Sequence, residues 1–343
     1  MLRQLQIAPA LSNNDMPENP VFVYKGDALA KYGFGDDHPF GLDRHDAFQT
    51  ELADAGLGSA IEYAGTRRAS VTELSLFHSA DYIDFISRKS EEGTGFLDGG
   101  DTPAYPGIFD TASDVAGTTL AAVDAVMHGA ATRSFSPIAG LHHAGREHAA
   151  GFCVFNDCGI AIEYLRQQHG LQRIAYVDID AHHGDGVFYG FEGDPDIIFA
   201  DLHEDGRYLY PGTGASEETG KGAATGTKLN IPMPPGAGDD EFDAAWHLVE
   251  AYIDNAAPEF IIMQCGADSL EGDPITHLCY TEEAHALAAR RLCKLADRHC
   301  GGRIVGTGGG GYNRRNLARA WTRVVQSFAE KNPPESVRQT PGT

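Results

Sequence analysis

Five apolar runs, rich in Val, Ile, Phe and Tyr, alternate with helical stretches along this chain, and each run ends on an uncommon chemical group. That alternation constrains the fold more than any other feature. Residues 134–141 lead into His142-His143, and 174–179 lead into a run of Asp and His. Residues 197–202 lead into His203, 260–266 into Asp268, and 303–308 towards Tyr312. Helical patterns lie between them, over 157–168, over 240–255 closed by Pro258, and over 281–298. The last of these opens with Glu282 and Glu283 and stops at Gly301-Gly302, which suits the two ends of a helix. Strand and helix in alternation predict an α/β chain with a mainly parallel sheet and helices on both faces. In such a sheet the carboxyl ends of the strands share one edge, so residues far apart in sequence meet in one crevice. One domain is expected over residues 1–330. Pro17, Asn19 and Pro20 suggest loop in the less regular segment 1–45, and the Pro-containing stretch 331–343 is expected to be a disordered tail.

The bulk numbers exclude several classes. The chain has 343 residues, 42% of them apolar, enough for a substantial core. Its formal charge of −23 argues against binding a nucleic-acid backbone, which needs basic patches, and favours cationic ligands. No run of 18 apolar residues exists, so no membrane span is expected. Met1-Leu2-Arg3-Gln4 lacks an apolar signal core. Six cysteines without CxxC spacing read as reduced thiols in a cytoplasmic protein.

The segment from Asp178 to Gly186, Asp-Ile-Asp-Ala-His-His-Gly-Asp-Gly, speaks loudest for function. It follows the apolar run 174–177. Side chains at alternate positions of a strand share a face, so Asp178, Asp180 and His182 are expected to point together. Carboxylates and imidazole converging at a strand end make a divalent-metal site. Three ligands with one open position mark a catalytic metal. Asp180 and His182 supply two, and Asp268, after Gly266-Ala267, can supply the third from a neighbouring strand end. Mixed nitrogen and oxygen ligands suit Zn²⁺, with Fe²⁺ a competitor.

Tandem His142-His143 at another strand end can take a proton from an activated water and return it to a leaving group. Asp178 and Asp185 can each orient a histidine and stabilise its cation. Residues 306–312, Gly-Thr-Gly-Gly-Gly-Gly-Tyr, contain a formal GxGxxG, but no second strand with an acidic end follows. A dinucleotide site is therefore rejected. The glycines instead allow close backbone approach, with Tyr312 either packing or hydrogen-bonding a developing oxyanion. Cys153, between Phe152 and Val154, reads as a small buried hydrophobe, not a nucleophile. His38, His78, His148, His169, His277 and His299 show no partner pattern and are read as structural.

Taken together, these segments resemble the zinc-dependent histone deacetylases and their bacterial acetoin-utilisation relatives, within the arginase/deacetylase fold. The likeness spans about residues 38–325. It includes His38-Pro39 with Arg44, Asp101-Thr102-Pro103, Leu141-His142-His143-Ala144, Gly151-Phe152-Cys153, Asp178 to Gly186, Leu202-His203, Tyr210 to Gly214, Gly266-Ala267-Asp268, and Gly308 to Tyr312. The resemblance implies removal of an acetyl group from acetyl-lysine in a peptide or protein, with acetylpolyamines or other cationic small amides as the alternative substrates. It implies Zn²⁺ on Asp180, His182 and Asp268. His143 would be general base and then acid, oriented by Asp185, with His142 assisting, oriented by Asp178. Tyr312 would polarise the carbonyl. Phe152 and Tyr210 would wall a tunnel also lined by Gly151, Asp101 would clamp substrate N–H groups at the rim, and Arg44 would line an inner acetate channel. Ile275, neutral at the rim, points away from polyamine specialisation. A K⁺ or Na⁺ ion is implied at Asp178, Asp180, His182, Asp201 and Leu202, with Asp201 departing from the usual Ser, and a second around Phe191 and Ile197. The ureohydrolase relatives carry further carboxylates where this chain has Gly184 and Leu270, so a single divalent ion is expected.

Overall fold

The computed structural model describes residues 20–35 and 38–330. The expected tail at 331–343, and Pro17 and Asn19, lie outside the described residues. In chain order the elements are β1 (Val21–Tyr24), α1 (Asp27–Ala30), α2 (Arg44–Asp54), β2 (Ile61–Ala64), α3 (Val71–Leu74), α4 (Ala80–Glu92), α5 (Ile108–Met127), β3 (Arg133–Ser136) and α6 (Asp157–His169). There follow β4 (Ile174–Asp178), α7 (Asp185–Gly190), β5 (Ile197–Glu204), β6 (Lys228–Met233), α8 (Asp239–Ala256), β7 (Phe260–Gln264), α9 (Glu282–His299), β8 (Ile304–Thr307) and α10 (Arg314–Ala329).

The strands form one eight-stranded sheet in the order β2-β1-β3-β8-β7-β4-β5-β6, every pair parallel. The interior strands β3, β4, β5, β7 and β8 are buried at every residue, as a sheet covered on both faces requires. Successive residues of β3 show the two layers. Ser134 donates its hydroxyl to Ala122 O of α5, while Phe135 packs against Phe48 of α2 and Trp321 of α10. The helix ends follow local chemistry. Asn156 caps α6 by accepting the Gly159 N–H, and Gly170 closes it in a left-handed turn. Thr281 caps α9, and Asn313 caps α10 directly after Tyr312. No helix among the described residues is long and apolar enough to cross a membrane.

Three strands escape the sequence pattern. The segment expected to be irregular contains β1, and β2 and β6 form the two sheet edges. β6 carries Lys228, Asn230 and Pro232, a composition tolerated at an edge but unlike a buried strand. The run at 174–179 also ends sooner than expected, because β4 stops at Asp178.

Candidate active site

Four of the five chemical groups meet beyond the carboxyl ends of β3, β4, β7 and β8, at the middle of the sheet; the fifth, His203, does not, because β5 continues through it and its ring is committed to Asp201 Oδ1 and Gly214 O. Asp178, Asp180 and His182 converge differently from the expected strand face. Past Asp178 the backbone turns on its own carboxylates. Asp178 Oδ1 accepts the Asp180 N–H and Asp180 Oδ1 accepts the His182 N–H, both at 3.0 Å. The turn separates the two acids. Asp178 faces His142, with Nδ1 2.8 Å from its Oδ2, and receives the Tyr176 hydroxyl at 2.6 Å. Asp180 faces His182 and Asp268.

His182 Nδ1 lies 3.0 Å from Asp180 Oδ1 and 3.1 Å from Asp268 Oδ2. The three donor atoms lie within 4.8 Å of one another, and all three residues are buried. Metal bonds of 2.0–2.1 Å in tetrahedral array place ligand atoms roughly 3.3 Å apart, so this donor set fits Zn²⁺ or Fe²⁺. The outer oxygens are held as well. Asp180 Oδ2 accepts from Gly310 N at 2.8 Å and Gln264 Nε2 at 2.9 Å, and Asp268 Oδ1 accepts from Ala181 N at 2.9 Å. A Cβ at Gly310 would collide with Asp268 Oδ2, which is why glycine passes here. At the two dinuclear positions, the Gly184 N–H donates to Asp201 and Leu270 is a buried apolar side chain, so neither adds a ligand.

His143 Nδ1 lies 2.6 Å from Asp185 Oδ1, and the Nε2 atoms of His142 and His143 are 3.1 Å apart. Both rings thus present the same edge to one point. Their proton affinities diverge. Burial lowers that of His142, but Asp178 and Asp180 outweigh it and push its pKa up to about 10. Burial and the His142 charge hold His143 below the usual imidazole range. A pair pushed apart in this way supplies one cation and one free base. Burial, then the charges of Asp268 and Asp180, raise the Tyr312 phenol well above its ordinary value, so it is a donor.

A cavity of about 240 Å³ leads to this point, lined by Asp101, Gly151, Phe152, Tyr210 and Ile275 with His143, His182 and Tyr312. Phe152 stands perpendicular to Tyr312 at 5.8 Å between ring centres, and Tyr210 perpendicular to His143 at 5.2 Å. Gly151 lies so close beneath His143 that a Cβ would strike its ring. Asp101 is at the mouth, and burial together with the neighbouring Asp98 pushes its carboxyl up to about 6.

Several expectations shift. Arg44 is not among the residues lining the inner cavity. It backs that wall from within the core, with Nε and Nη2 donating to Gly311 O (2.9 Å) and Gly309 O (2.5 Å) under the Phe40 ring. Its Nη1 is buried with no hydrogen-bond partner among the described residues. His38, read as structural, packs beside the tunnel: its ring stands edge-on to Phe152 at 4.5 Å and its Nε2 is 3.1 Å from Asp101 O. Asp201 is already engaged on both oxygens, by Gly184 N and His203 Nδ1, each at 2.8 Å; Leu202 is buried beside it in β5. The second cation position, expected around Phe191 and Ile197, holds a side chain. Lys228 Nζ donates to Ile197 O (2.7 Å), Asp194 O (2.9 Å) and Thr227 Oγ1 (2.8 Å). Cys153 is buried and its thiol pKa is raised by that burial, which leaves it inert.

Sequence reasoning missed the residues that hold this machinery. Asp157 accepts the N–H groups of Gly140 and Leu141, and Asn156 Nδ2 donates to His142 O and Ala144 O. Together they fix the loop that presents the two histidines. Asp273 Oδ2 accepts the Tyr312 N–H at 2.8 Å, and its Oδ1 accepts the Ile275 N–H at 3.1 Å. Asn156 had a readable signal, a cap before a helical pattern; the others had none.

Comparison with known proteins finds relatives over most of the chain. The histone deacetylase domain family matches residues 38–328. Acetoin utilization protein AcuC of Bacillus subtilis is 39% identical over 321 residues, covering 89% of this chain and 80% of that protein. AcuC of Staphylococcus xylosus is 32% identical over 330 residues, covering 94% and 85%. Among solved structures, the HDA15 HD domain superposes with a TM-score of 0.84 at 27% identity, covering 91% of this chain and 89% of its own.

Proposed function

Because the chain belongs to the histone deacetylase family and is a deacetylase, a hydrolase, we propose that it removes acetyl from the side-chain amine of acetyl-lysine in peptides or proteins. The observation that carries this is the narrow aromatic passage from Asp101, between Phe152 and Tyr210, to the triad Asp180, His182 and Asp268. It fits an unbranched aliphatic stem with an amide at its far end. Residues 1–330 would form one catalytic domain.

Zn²⁺, or Fe²⁺ in its place, held by Asp180, His182 and Asp268 would supply Lewis acidity towards water and the acyl oxygen. His143 Nε2 takes the proton of the attacking water, with Asp185 stabilising the cation that results. Tyr312 donates to the carbonyl oxygen as it gains charge. His143 then gives its proton to the departing amine, while His142, held cationic against Asp178, lowers the cost of negative charge beside it. Arg44 Nη1, unsatisfied behind the cavity, offers acetate a cationic donor. Asp101 accepts from substrate N–H groups at the mouth. A monovalent ion at Asp178, Asp180, His182, Asp201 and Leu202 would be structural. Six free thiols suit a cytoplasmic setting.

The alternative substrate is an acetylpolyamine. Ile275 at the mouth offers no charge to a second ammonium, which favours acetyl-lysine. Acetate release from an acetyl-lysine peptide and from an acetylpolyamine, at matched concentrations, tests the reading. Higher kcat/KM on the peptide is expected, and preference for the polyamine would overturn it.

A further inference from the structure

A second hollow, of about 510 Å³, lies beside the tunnel mouth and is larger than it. Its floor is apolar: Phe85 and Tyr82 of α4, stacked at 6.3 Å, and Leu97. The Tyr82 hydroxyl is committed to Val154 O at 2.6 Å, so only ring surface is offered. Its walls carry the carboxylates of Asp81 and Glu147 and the ring of His148, and no lysine or arginine lines it. Neither carboxylate has an ion-pair partner among the described residues, unlike Asp110 and Asp114, which pair with Arg68, Glu163, which pairs with Arg146, and Glu92, which pairs with Lys89; Asp84 and Glu91 of α4 are likewise without one, so this face carries a surplus of negative charge. The His148 ring is seated against Gly145, where a Cβ would collide with it, so this wall is set by the loop.

Two loops separate the hollow from the tunnel. Leu97 lines the hollow and Asp101 the tunnel mouth; His148 lines the hollow and Phe152 the tunnel. The loops are tied together where Phe152 N donates to Thr102 Oγ1 at 3.0 Å, and the first is closed by Leu97 N to Thr102 O at 2.8 Å. Four residues of chain span at most about 14 Å, which bounds the distance from hollow to mouth along either loop. An extended substrate peptide covers that distance with about four residues.

We propose that this hollow is a second substrate subsite, which takes a lysine or arginine side chain within about four residues of the acetyl-lysine. The apolar floor accommodates the aliphatic stem and offers the Phe85 ring to the cation, and Asp81 and Glu147 supply the opposite charge. The proposal rests on the acetyl-lysine reading above and narrows it to peptides with a basic flank.

The test compares three substrates on the holoenzyme: a single-residue acetyl-lysine reporter, an acetyl-lysine peptide with neutral flanks, and the same peptide with arginine placed in turn at each of the four positions on either side. At one or more offsets the basic peptide is expected to gain roughly five-fold or more in kcat/KM, carried by KM and lost in high salt. The Asp81→Asn/Glu147→Gln double variant is expected to erase the gain while turning over the reporter unchanged. Because Asp81 also favours the start of α4, Glu147→Gln alone, in a loop, and Asp81→Glu serve as controls; the first should halve the preference or more and the second should retain it. No gain at any offset in the wild type, or a gain that persists in the double variant, overturns the subsite and leaves the deacetylase reading intact. Failure of all three substrates overturns the acetyl-lysine reading and the subsite with it.

Discussion

Two cation-shaped cradles lie at opposite edges of this sheet, one beyond the carboxyl ends of β4 and β7 and one at the amino ends of β5 and β6, and they are solved in opposite ways. At β4 and β7, Asp180, His182 and Asp268 turn a nitrogen and several oxygens towards one point, and among the described residues no lysine or arginine hydrogen-bonds to them. At β5 and β6, main-chain carbonyls of Asp194 and Ile197 turn towards one point, and Lys228 Nζ fills it. The difference is one of purpose. A tethered ammonium satisfies buried oxygens permanently but offers no open coordination position. Carboxylate and imidazole without such a tether leave the charge to an exchangeable ion, which can also act on a substrate. The first cradle is built for chemistry and the second for stability.

That contrast can be broken at the first cradle by removing the proton carriers. His143→Ala is expected to lower kcat by about 10²–10⁴ and Tyr312→Phe by about 10²–10³, with bound divalent metal unchanged in both. Turnover of an acetyl-lysine reporter, read beside metal content, checks it; wild-type kcat in either variant would contradict the assigned roles.

The second cradle is expected to respond in stability, not rate. Lys228→Met leaves the Asp194 and Ile197 carbonyls buried without their donor, at a cost of about 3 kcal/mol read by denaturant unfolding, while kcat of the folded fraction stays near wild type. In Lys228→Ala the vacated position can admit a monovalent ion. Potassium at ten times its dissociation constant would then restore roughly 1.4 kcal/mol, and the wild type would show no such gain from this position. Loss of catalysis without loss of stability would erase the distinction between the cradles.

A smaller effect is expected at the tunnel mouth. The Asp101 carboxyl, raised to about 6, is charged at neutral pH and becomes protonated as pH falls through that value. KM for a peptide is therefore expected to rise a few-fold between pH 7 and 5.5, and Asp101→Asn should show the higher KM at both. A flat wild-type profile would remove Asp101 from substrate binding.

The two cradles also mark what could be read in the sequence. The chemical groups of the first stand at the ends of apolar runs, and a parallel sheet gathers such ends on one edge, so Asp180, His182, Asp268, His142, His143 and Tyr312 were legible before any coordinates. Their supports were not. Gln264, Asp157, Tyr176 and Asp273 act through contacts that reach 2 to 124 positions along the chain, and nothing local distinguishes them from ordinary polar residues. Lys228 was illegible for the opposite reason. A lysine in a short edge strand reads as solvated, yet here it is 2% exposed. The three short strands β1, β2 and β6 were missed for two reasons: β1, Val-Phe-Val-Tyr, is only four residues long, and β2 and β6 carry Glu, or Lys and Pro, within four and six residues, so none has enough periodicity to read.

The most direct measurement is the divalent metal content of the purified protein, titrated against acetate release from an acetyl-lysine peptide. One ion per chain is predicted, with activity rising in proportion to occupancy and absent from Asp268→Ala. Full turnover without the ion, or two ions per chain at full activity, would contradict a lone metal on residues 180, 182 and 268.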